Sequence, residues 1–333
     1  MCCLLLLPES TPVPAAFAEL QSHGADIIRI PAPHRRYRQQ YRSLLKALRA
    51  RNIQLLHSHG YHADVLTRFC ARALRLPHVS TLHGFVGATR RGRMYEALQL
   101  YALRSAAAVV AVSESVSQRA IQRGVSANRV HVITNAAPEF EVLSRQDARR
   151  VLGVPDTQQL LGWVGRMSSE KEPVAFAHLV ARFAHDDSVA GVMLGDGPLM
   201  AEVQQVVVAS DPPARLHTAG VVPAAGRLIS AFDALIVTSS TEGTPMVVLE
   251  AMSAGVPVVS TAVGGVPQLL ENGAGALVPY GDADGLYHAV RAVLADADYA
   301  SRLSTAAQER VRTSYSRDAW WKRYRALYES VIA

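Results

Sequence analysis

Apolar and polar positions along this chain follow two alternating periods. Compact apolar runs, of the kind that form strands buried on both faces, are each followed by a segment of helical period. In the first half the spacing predicts strands at 3–7, 26–30, 53–57, 79–82, 108–112 and 130–133, with helices near 15–22, 41–50, 63–74, 94–105 and 115–123. Both periods fail over 135–144, where Pro138, Glu139 and Glu141 interrupt them, so a domain boundary is expected there. The pattern then restarts. Strands are expected at 160–164, 190–194, 216–218, 234–237, 256–260 and 276–278, and helices near 174–184, 199–209, 223–230, 245–254, 283–295 and 298–315. A last helix, 318–332, carries Trp320, Trp321, Tyr324 and Tyr328. Alternation of this kind marks a parallel α/β architecture, here in two Rossmann-like domains.

The helix at 245–254 has both ends written into it. Thr244 is placed as N-cap, Pro245 at the first helical position and Gly255 just past the end. Glu242 lies in the loop before it, and Glu250 lies mid-helix among Met246, Val247, Val248, Leu249, Ala251 and Met252. A glutamate is rarely buried unless paired, and this helix has no polar face to solvate one. In open α/β sheets ligands bind beyond the carboxyl ends of the strands, where helix N-termini attract phosphates. Glu250 then suits a pair of ribose hydroxyls, and Glu242 a hydroxylated group beyond the phosphates. Taken singly, Glu242 is a solvated loop residue and Glu250 one half of a buried ion pair. Taken together, with the caps and flanking strands, they favour a ligand site.

The run Glu242-Gly243-x-Pro245, Leu249-Glu250-Ala251-Met252, Gly255-x-Pro257-Val258-Val259, with seven residues between the glutamates, resembles the signature of glycosyltransferase family 4. Gly264-Gly265-Val266-Pro267 and Gly281-Asp282 continue the resemblance, which covers essentially the whole chain and is stronger in the second half. It implies a GT-B fold. Two Rossmann-like domains, 1–140 on the acceptor side and 141–315 binding the nucleotide sugar, would face each other across a cleft, and a C-terminal helix, 316–333, would pack back on the first. It also implies a retaining enzyme that moves a sugar from a nucleoside-diphosphate donor to a sugar or lipid-linked acceptor, in polysaccharide, lipopolysaccharide or glycolipid synthesis. The donor is a substrate, so no cofactor is expected. Two competing classes are a non-catalytic nucleotide-sugar-binding protein or truncated fragment, and a GT-B sugar-nucleotide epimerase. Donor turnover with and without acceptor separates them.

The segment from Gly165 and Arg166 to Lys171 follows the strand at 160–164 and resembles the family's Gly-Arg-x-x-x-x-Lys, whose Arg and Lys hold the donor diphosphate. Fixed cations there stabilise charge building on a departing diphosphate. With the helix N-terminus at Gly243, Thr244, Pro245 and Met246 they suffice without a metal, and no Asp-x-Asp dyad is recognised to hold one. His83, after the strand at 79–82, resembles the family's active-site histidine, and is assigned to positioning and transition-state support. His57, His59 and His62 form a cluster whose spacing fits no zinc site. Its position matches a His-x-His segment common in the family. Gly195-Asp196-Gly197-Pro198 has Met200 where a dinucleotide fingerprint needs glycine, which argues against a nicotinamide dehydrogenase. Val222, in Gly220-Val221-Val222, resembles the segment whose backbone meets the nucleotide base.

Composition adds bounds. The 333 residues are 49% apolar and 19% charged, as in ordinary globular domains, and no apolar run approaches the ~20 residues that span a bilayer. Three cysteines, Cys2, Cys3 and Cys70, are too few and odd in number for a disulfide framework, which points to the cytoplasm. Charge is uneven: residues 1–150 carry 21 Lys/Arg against 9 Asp/Glu, a balance of +12, and the remainder 13 against 19, a balance of −6. Arg35, Arg36, Arg38, Arg42, Lys46, Arg49 and Arg51 are not interleaved with stacking aromatics, so nucleic acid is not the expected partner. Arg38, Arg42, Lys46 and Arg49 line one face of an amphipathic helix, which suits peripheral contact with an acidic membrane at its inner face or an ordinary solvated surface.

Members of the family usually open with a strand and a Gly-Gly loop ahead of the segment that residues 3–7 resemble. Here residues 8–14 follow that strand and contain no glycine. The expectation is that this opening is missing, leaving the first domain with a gap or a re-paired sheet.

Overall fold

The computed structural model describes residues 2–7, 11, 13, 16–31, 36–85 and 90–333. Arg35 and most of the 8–14 segment lie outside the described residues. The chain divides into two units: unit 1 holds Met1–Ala111, Val116–Val132 and Tyr324–Ala333, and unit 2 holds Val112–Ser115 and Ile133–Arg323.

Unit 1 contains strands β1 (Cys2–Leu7), β2 (Asp26–Pro31), β3 (Leu56–His59), β4 (His78–Leu82), β5 (Ala108–Ala111) and β6 (Val130–Val132), with helices α1 (Ala16–Ser22), α2 (Tyr37–Arg49), α3 (Tyr61–Leu74), α4 (Arg90–Leu103) and α5 (Glu114–Gln122) between them. All its pairings are parallel, in a two-stranded sheet β1-β2 and a four-stranded sheet β3-β4-β5-β6. One apolar cluster gathers Ile30, Leu44, Leu45, Leu48, Leu56, Leu66 and Cys70, and a second gathers Leu82, Leu100, Leu103, Val109 and Val116. β3 begins later than the apolar run suggests. Ile53 packs on the first cluster, but pairing starts at Leu56 opposite His78, so His57, Ser58 and His59 lie within the strand.

Unit 2 contains α6 (Arg145–Leu152), β7 (Gln159–Val164), α7 (Pro173–Ala181), β8 (Val189–Leu194), α8 (Met200–Ala209), β9 (Leu216–Thr218), β10 (Ala234–Val237), α9 (Met246–Ala254), β11 (Val258–Thr261), α10 (Val266–Leu269), β12 (Ala276–Val278), α11 (Ala283–Ala295) and α12 (Ala297–Ser314). Its six parallel strands lie in the order β12-β11-β10-β7-β8-β9. Successive strand residues alternate between the two faces. Leu160, Leu235 and Val237 join the cluster under α9, while Leu161, Ala234 and Ile236 join the cluster under α7 and α11. Both faces are covered by helices, which is why these strands read as unbroken apolar runs.

The final helix, α13 (Arg317–Ile332), returns to unit 1 from Tyr324 onward. Tyr324 and Leu327 are the residues it buries. Trp321, expected to dock with the other aromatics, is half exposed. Among the described residues no helix is long and apolar enough to cross a membrane.

α6 is an element that the apolar periodicity overlooked. Ser144 accepts from the Asp147 N–H at its start, and Gly153 closes it. Its Arg149 is 1% exposed and donates to the carbonyls of Ala231, Pro155 and Gln158 and to the Asp233 carboxylate, at 2.8–3.1 Å. Asp233 also accepts from the Leu160 N–H at 2.7 Å. This knot ties together the amino ends of β7 and β10. Arg149→Met should therefore leave Asp233 to Arg145 (2.8 Å) and the Leu160 N–H but strand the three carbonyls, and lower unfolding free energy in urea by about 1–3 kcal/mol, the cost of leaving buried acceptors unsatisfied. An unchanged urea midpoint would show that the knot contributes nothing.

Candidate functional site

β7 and β10 lie side by side at the point where chain order reverses: β8 and β9 continue to one side, β11 and β12 to the other. Such a switch point opens a crevice beyond the carboxyl ends of the strands. The loop after β7 carries Gly165, Arg166 and Lys171, and the loop after β10 carries Glu242 and Gly243. Lys171 Nζ meets Glu242 Oε1 at 2.6 Å, and Ser239 Oγ donates to the same oxygen at 2.7 Å. The Glu242 side chain is 8% exposed, and these two partners satisfy it there. Arg166 stands apart from that pair. It is exposed and bonded to Glu170 at 2.8 Å. The loops are held to one another through backbone: Gly165 N–H donates to Leu194, Met167 N–H to Asp196, Gly195 N–H to Gly220 and Ser240 N–H to Glu170. Thr238 Oγ1 donates to the carbonyls of Lys171 and Glu172, which joins the β7 and β10 loops again.

Two glycines make this packing sterically allowed. A Cβ on Gly195 would collide with the Gly165 carbonyl, and one on Gly264, at φ +57°, with the Glu242 carbonyl. Val222 sits in the loop after β9 at the same edge, its side chain packed on the core.

α9 starts one residue later than expected. Pro245 is its cap residue, and no side chain caps it. The Thr244 hydroxyl donates instead to the Val112 carbonyl, a member of the same unit, and the Thr244 carbonyl accepts from Asn135 Nδ2 at 3.1 Å. Gly255 ends the helix as its position suggests. Glu250 is half-buried, with Gly226 facing its carboxyl group. Among the described residues nothing donates to that carboxylate or pairs with it, and burial raises its pKa. The buried ion pair that would explain it without a ligand is not there. Two Asp-x-Asp pairs are in fact present in the chain. Asp282 caps α11 and Asp296 caps α12, while Asp284 pairs with Arg182.

In unit 1 the histidines form a stack. The His57, His59 and His83 rings follow one another at centroid distances of 4.5 and 5.3 Å. His59 Nδ1 lies 3.0 Å from His83 Nε2, so one of these nitrogens donates and the other accepts. His57 bonds to Tyr328 of α13 through Nδ1 (2.6 Å) and to Thr81 through Nε2 (2.8 Å). His62 is not part of the stack and bonds to Gln40. Below it lies a buried polar knot. Ser58, Ser80 and Gln99 all donate to the Asp64 carboxylate at 2.5–2.7 Å. With its proton on Asp64, Ser58 Oγ accepts from His78 Nε2 at 2.6 Å, which fixes that tautomer. Ser239, Glu170 and His59 are the partners that motif reading missed. Only Glu170, four residues after Arg166, had a spacing that could have revealed it.

A doubly wound sheet with polar loops converging at its switch point, alongside a second parallel α/β unit, places the molecule among two-domain proteins of Rossmann type. Residues 144–310 match the model for glycosyl transferases group 1, and residues 5–138 match that for Glycosyltransferase Family 4. The chain belongs to this glycosyltransferase family and has its GT-B fold. It is 22% identical to the N-acetyl-alpha-D-glucosaminyl L-malate synthase of Bacillus anthracis over 84% of this chain and 76% of that one. It is 26% identical to the UDP-Gal:alpha-D-GlcNAc-diphosphoundecaprenol alpha-1,3-galactosyltransferase of Escherichia coli over 76% and 70%. Among solved structures, HepE of Anabaena in complex with UDP-glucose superposes with a TM-score of 0.84 at 20% identity, covering 99% of this chain and 100% of that chain.

The histidine chemistry has a consequence for stability. Burial lowers the pKa of His57 to about 3 and that of His78 to about 4, against 6.5 for a free imidazole. Both rings fold neutral. The stability this gives is complete above pH 6.5 and is lost as pH falls toward 4, by up to about 1.4 kcal/mol per pH unit for each ring. Urea midpoints should fall through this window, and less steeply in His78→Gln. Equal slopes in the variant and the unsubstituted chain would show that His78 does not carry the linkage.

Proposed function

We propose that the chain is a retaining, metal-independent hexosyltransferase. It moves a sugar from a nucleoside-diphosphate donor to a hydroxyl of a sugar or lipid-linked acceptor, in polysaccharide, lipopolysaccharide or glycolipid synthesis. The observation that carries the donor assignment is Glu250: a half-buried carboxylate without a partner among the described residues, roughly 6 Å along the axis from the N-terminus of α9. Ribose hydroxyls are donors of the right kind and number for it. The α9 N-terminus, from Gly243 to Met246, then takes a phosphate, with Lys171 and Arg166 released from their glutamates to the diphosphate. The base lies against the backbone of Val222, and Gly165 leaves room at the phosphates.

In the reaction the bond from the anomeric carbon to the phosphate oxygen breaks, and a bond to the acceptor oxygen forms on the same face. The acceptor proton passes to the departing phosphate oxygen. Lys171, Arg166 and the helix N-terminus stabilise the diphosphate as its charge grows. Glu242 accepts from hydroxyls of the sugar, and unit 1 supplies His83, whose pKa burial lowers, as a hydrogen-bonding partner for the transferred group. The relatives' names support a UDP sugar as the first donor to try.

Thermal shifts with UDP, GDP and ADP identify the base, since a nucleotide at 100 times its Kd adds about 2.7 kcal/mol of stability. With that nucleotide, Glu250→Gln is expected to weaken affinity by about 1.5–3 kcal/mol, the worth of hydrogen bonds to a charged group, while the nucleotide-free melting temperature holds. Unchanged affinity with lost stability would make Glu250 a structural residue. Turnover is expected to survive EDTA, and strict dependence on Mg²⁺ or Mn²⁺ would defeat the metal-independent reading.

A further inference from the structure

Unit 1 has a cleft that the proposed reaction does not use. It measures about 500 Å³ and lies at the amino end of the β3–β6 sheet, where its wall includes His78, the first residue of β4, and Ala107, just before β5. His59 and His83 stand at the opposite, carboxyl ends of β3 and β4. Arg68, Arg72, Arg75 and Arg129 line the cleft, and no acidic residue does. None of the four has a carboxylate partner among the described residues, whereas Arg51 pairs with Asp26 and Arg119 with Glu96 elsewhere in the unit. Arg68 and Arg129 are each anchored through Nη1 alone. Arg68 donates to the carbonyls of Tyr101 and Ala102 and to Ser105 Oγ at 2.8–3.2 Å, and Arg129 to the carbonyls of Arg104 and Ala106 at 3.2 and 3.3 Å. Their other guanidinium donors have no partner among the described residues.

Packing alone does not account for this wall. Arg72, in the last turn of α3, complements the helix dipole. Arg75 sits past the helix end at φ +56°, in the left-handed region that glycine fills at least cost. Such a conformation on a residue without a partner is a sign of function. His78 is the second anomaly. It is 3% exposed, and its Nε2 gives its proton to Ser58 Oγ, which leaves Nδ1 as an acceptor. Nδ1 has no partner among the described residues, and no fully buried side-chain nitrogen or oxygen among them lacks one. Nδ1 therefore opens on the cleft that His78 lines.

We propose that this cleft is a second, non-catalytic site that binds a soluble phosphate monoester, whose phosphoryl oxygens accept from the four arginines while one of its hydroxyls donates to His78 Nδ1. Guanidinium groups match phosphoryl oxygens in charge and in geometry. A cleft of about 500 Å³ is of the size that takes a whole small molecule, so the ligand carries a hydroxylated body besides its phosphate. The acceptor at His78 sets such a ligand apart from a plain anion such as sulfate, which has no proton to offer. The site does not depend on the glycosyltransferase reading.

The test is titration calorimetry of the full chain at neutral pH, with ribose 5-phosphate as the probe and ribose and sulfate as controls. Ribose 5-phosphate is expected to bind about tenfold or more tightly than either control, and to go on binding in the presence of excess nucleoside diphosphate. Arg72→Glu and, separately, Arg75→Gly should each weaken it by about tenfold or more, whereas Arg49→Glu, at an exposed position of α2, should not. Glycine suits the backbone at position 75, so the melting temperature of that variant holds or rises and its lost affinity is not lost folding. The thermal shift with nucleotide, read on the same variants, reports the proposed donor site in unit 2 separately from this cleft. Sulfate binding as tightly as ribose 5-phosphate would overturn the proposal in favour of an unselective basic patch. Absence of binding, displacement by the nucleotide, or cleft variants that bind like the unsubstituted chain would overturn it as well.

Discussion

The contact between Lys171 and Glu242 is the constraint on which the candidate donor site depends. It bridges the loops after the two strands where the sheet reverses order, at 2.6 Å, with the glutamate largely out of water. A carboxylate so placed is costly without a counter-charge. The pair therefore fixes where both charges stand before anything binds. Backbone bonds among the β7, β8, β9 and β10 loops then set the frame around it, and glycines allow the closest approaches. Function would follow from splitting the pair: a diphosphate offers the lysine a stronger partner, and sugar hydroxyls offer the carboxylate donors in exchange.

Unit 1 stores its polarity differently. Burial lowers the pKa of His57, His59, His78 and His83, with neighbouring imidazoles adding to it at His57 and His59, and among the described residues no cation pairs with Asp64. Neutral imidazoles can both donate and accept hydrogen bonds without adding charge. The outer helices of the same unit carry exposed arginines instead, among them Arg72, Arg90 and Arg93. One unit thus has a neutral polar interior and a basic exterior, which matches the charge imbalance between the halves of the chain.

Much of unit 2 was legible because its central strands are buried on both faces. Residues 234–237 stand where the apolar run places them, and the edge strands 216–218 and 276–278, less buried, keep their expected bounds. The helix after β10 was legible from Gly255 and less so at its start, since the Thr244 hydroxyl goes to Val112, a residue far away in sequence. Distance along the chain also hid the partner of His83. His59 precedes it by 24 residues and reaches it only because β3 and β4 pair with His59 opposite Thr81. The late start of β3 had the same cause: Ile53 is apolar because it packs, not because it pairs. α6 is too short and polar to show an apolar period, and in the sequence only Ser144 and Gly153, which bracket it, mark it. That Glu250 lacks a partner among the described residues is a fact of packing that no spacing could reveal.

The most direct test of the account is a comparison of two ligands on two variants. Calorimetric affinities for the preferred nucleoside diphosphate and for its sugar conjugate should separate the roles of the paired charges. Lys171→Ala is expected to weaken both ligands, because both carry the diphosphate. Glu242→Gln is expected to weaken the nucleotide sugar alone, because only that ligand reaches the carboxylate. If Glu242→Gln weakens both ligands equally, or neither, the division of labour at the switch point is wrong.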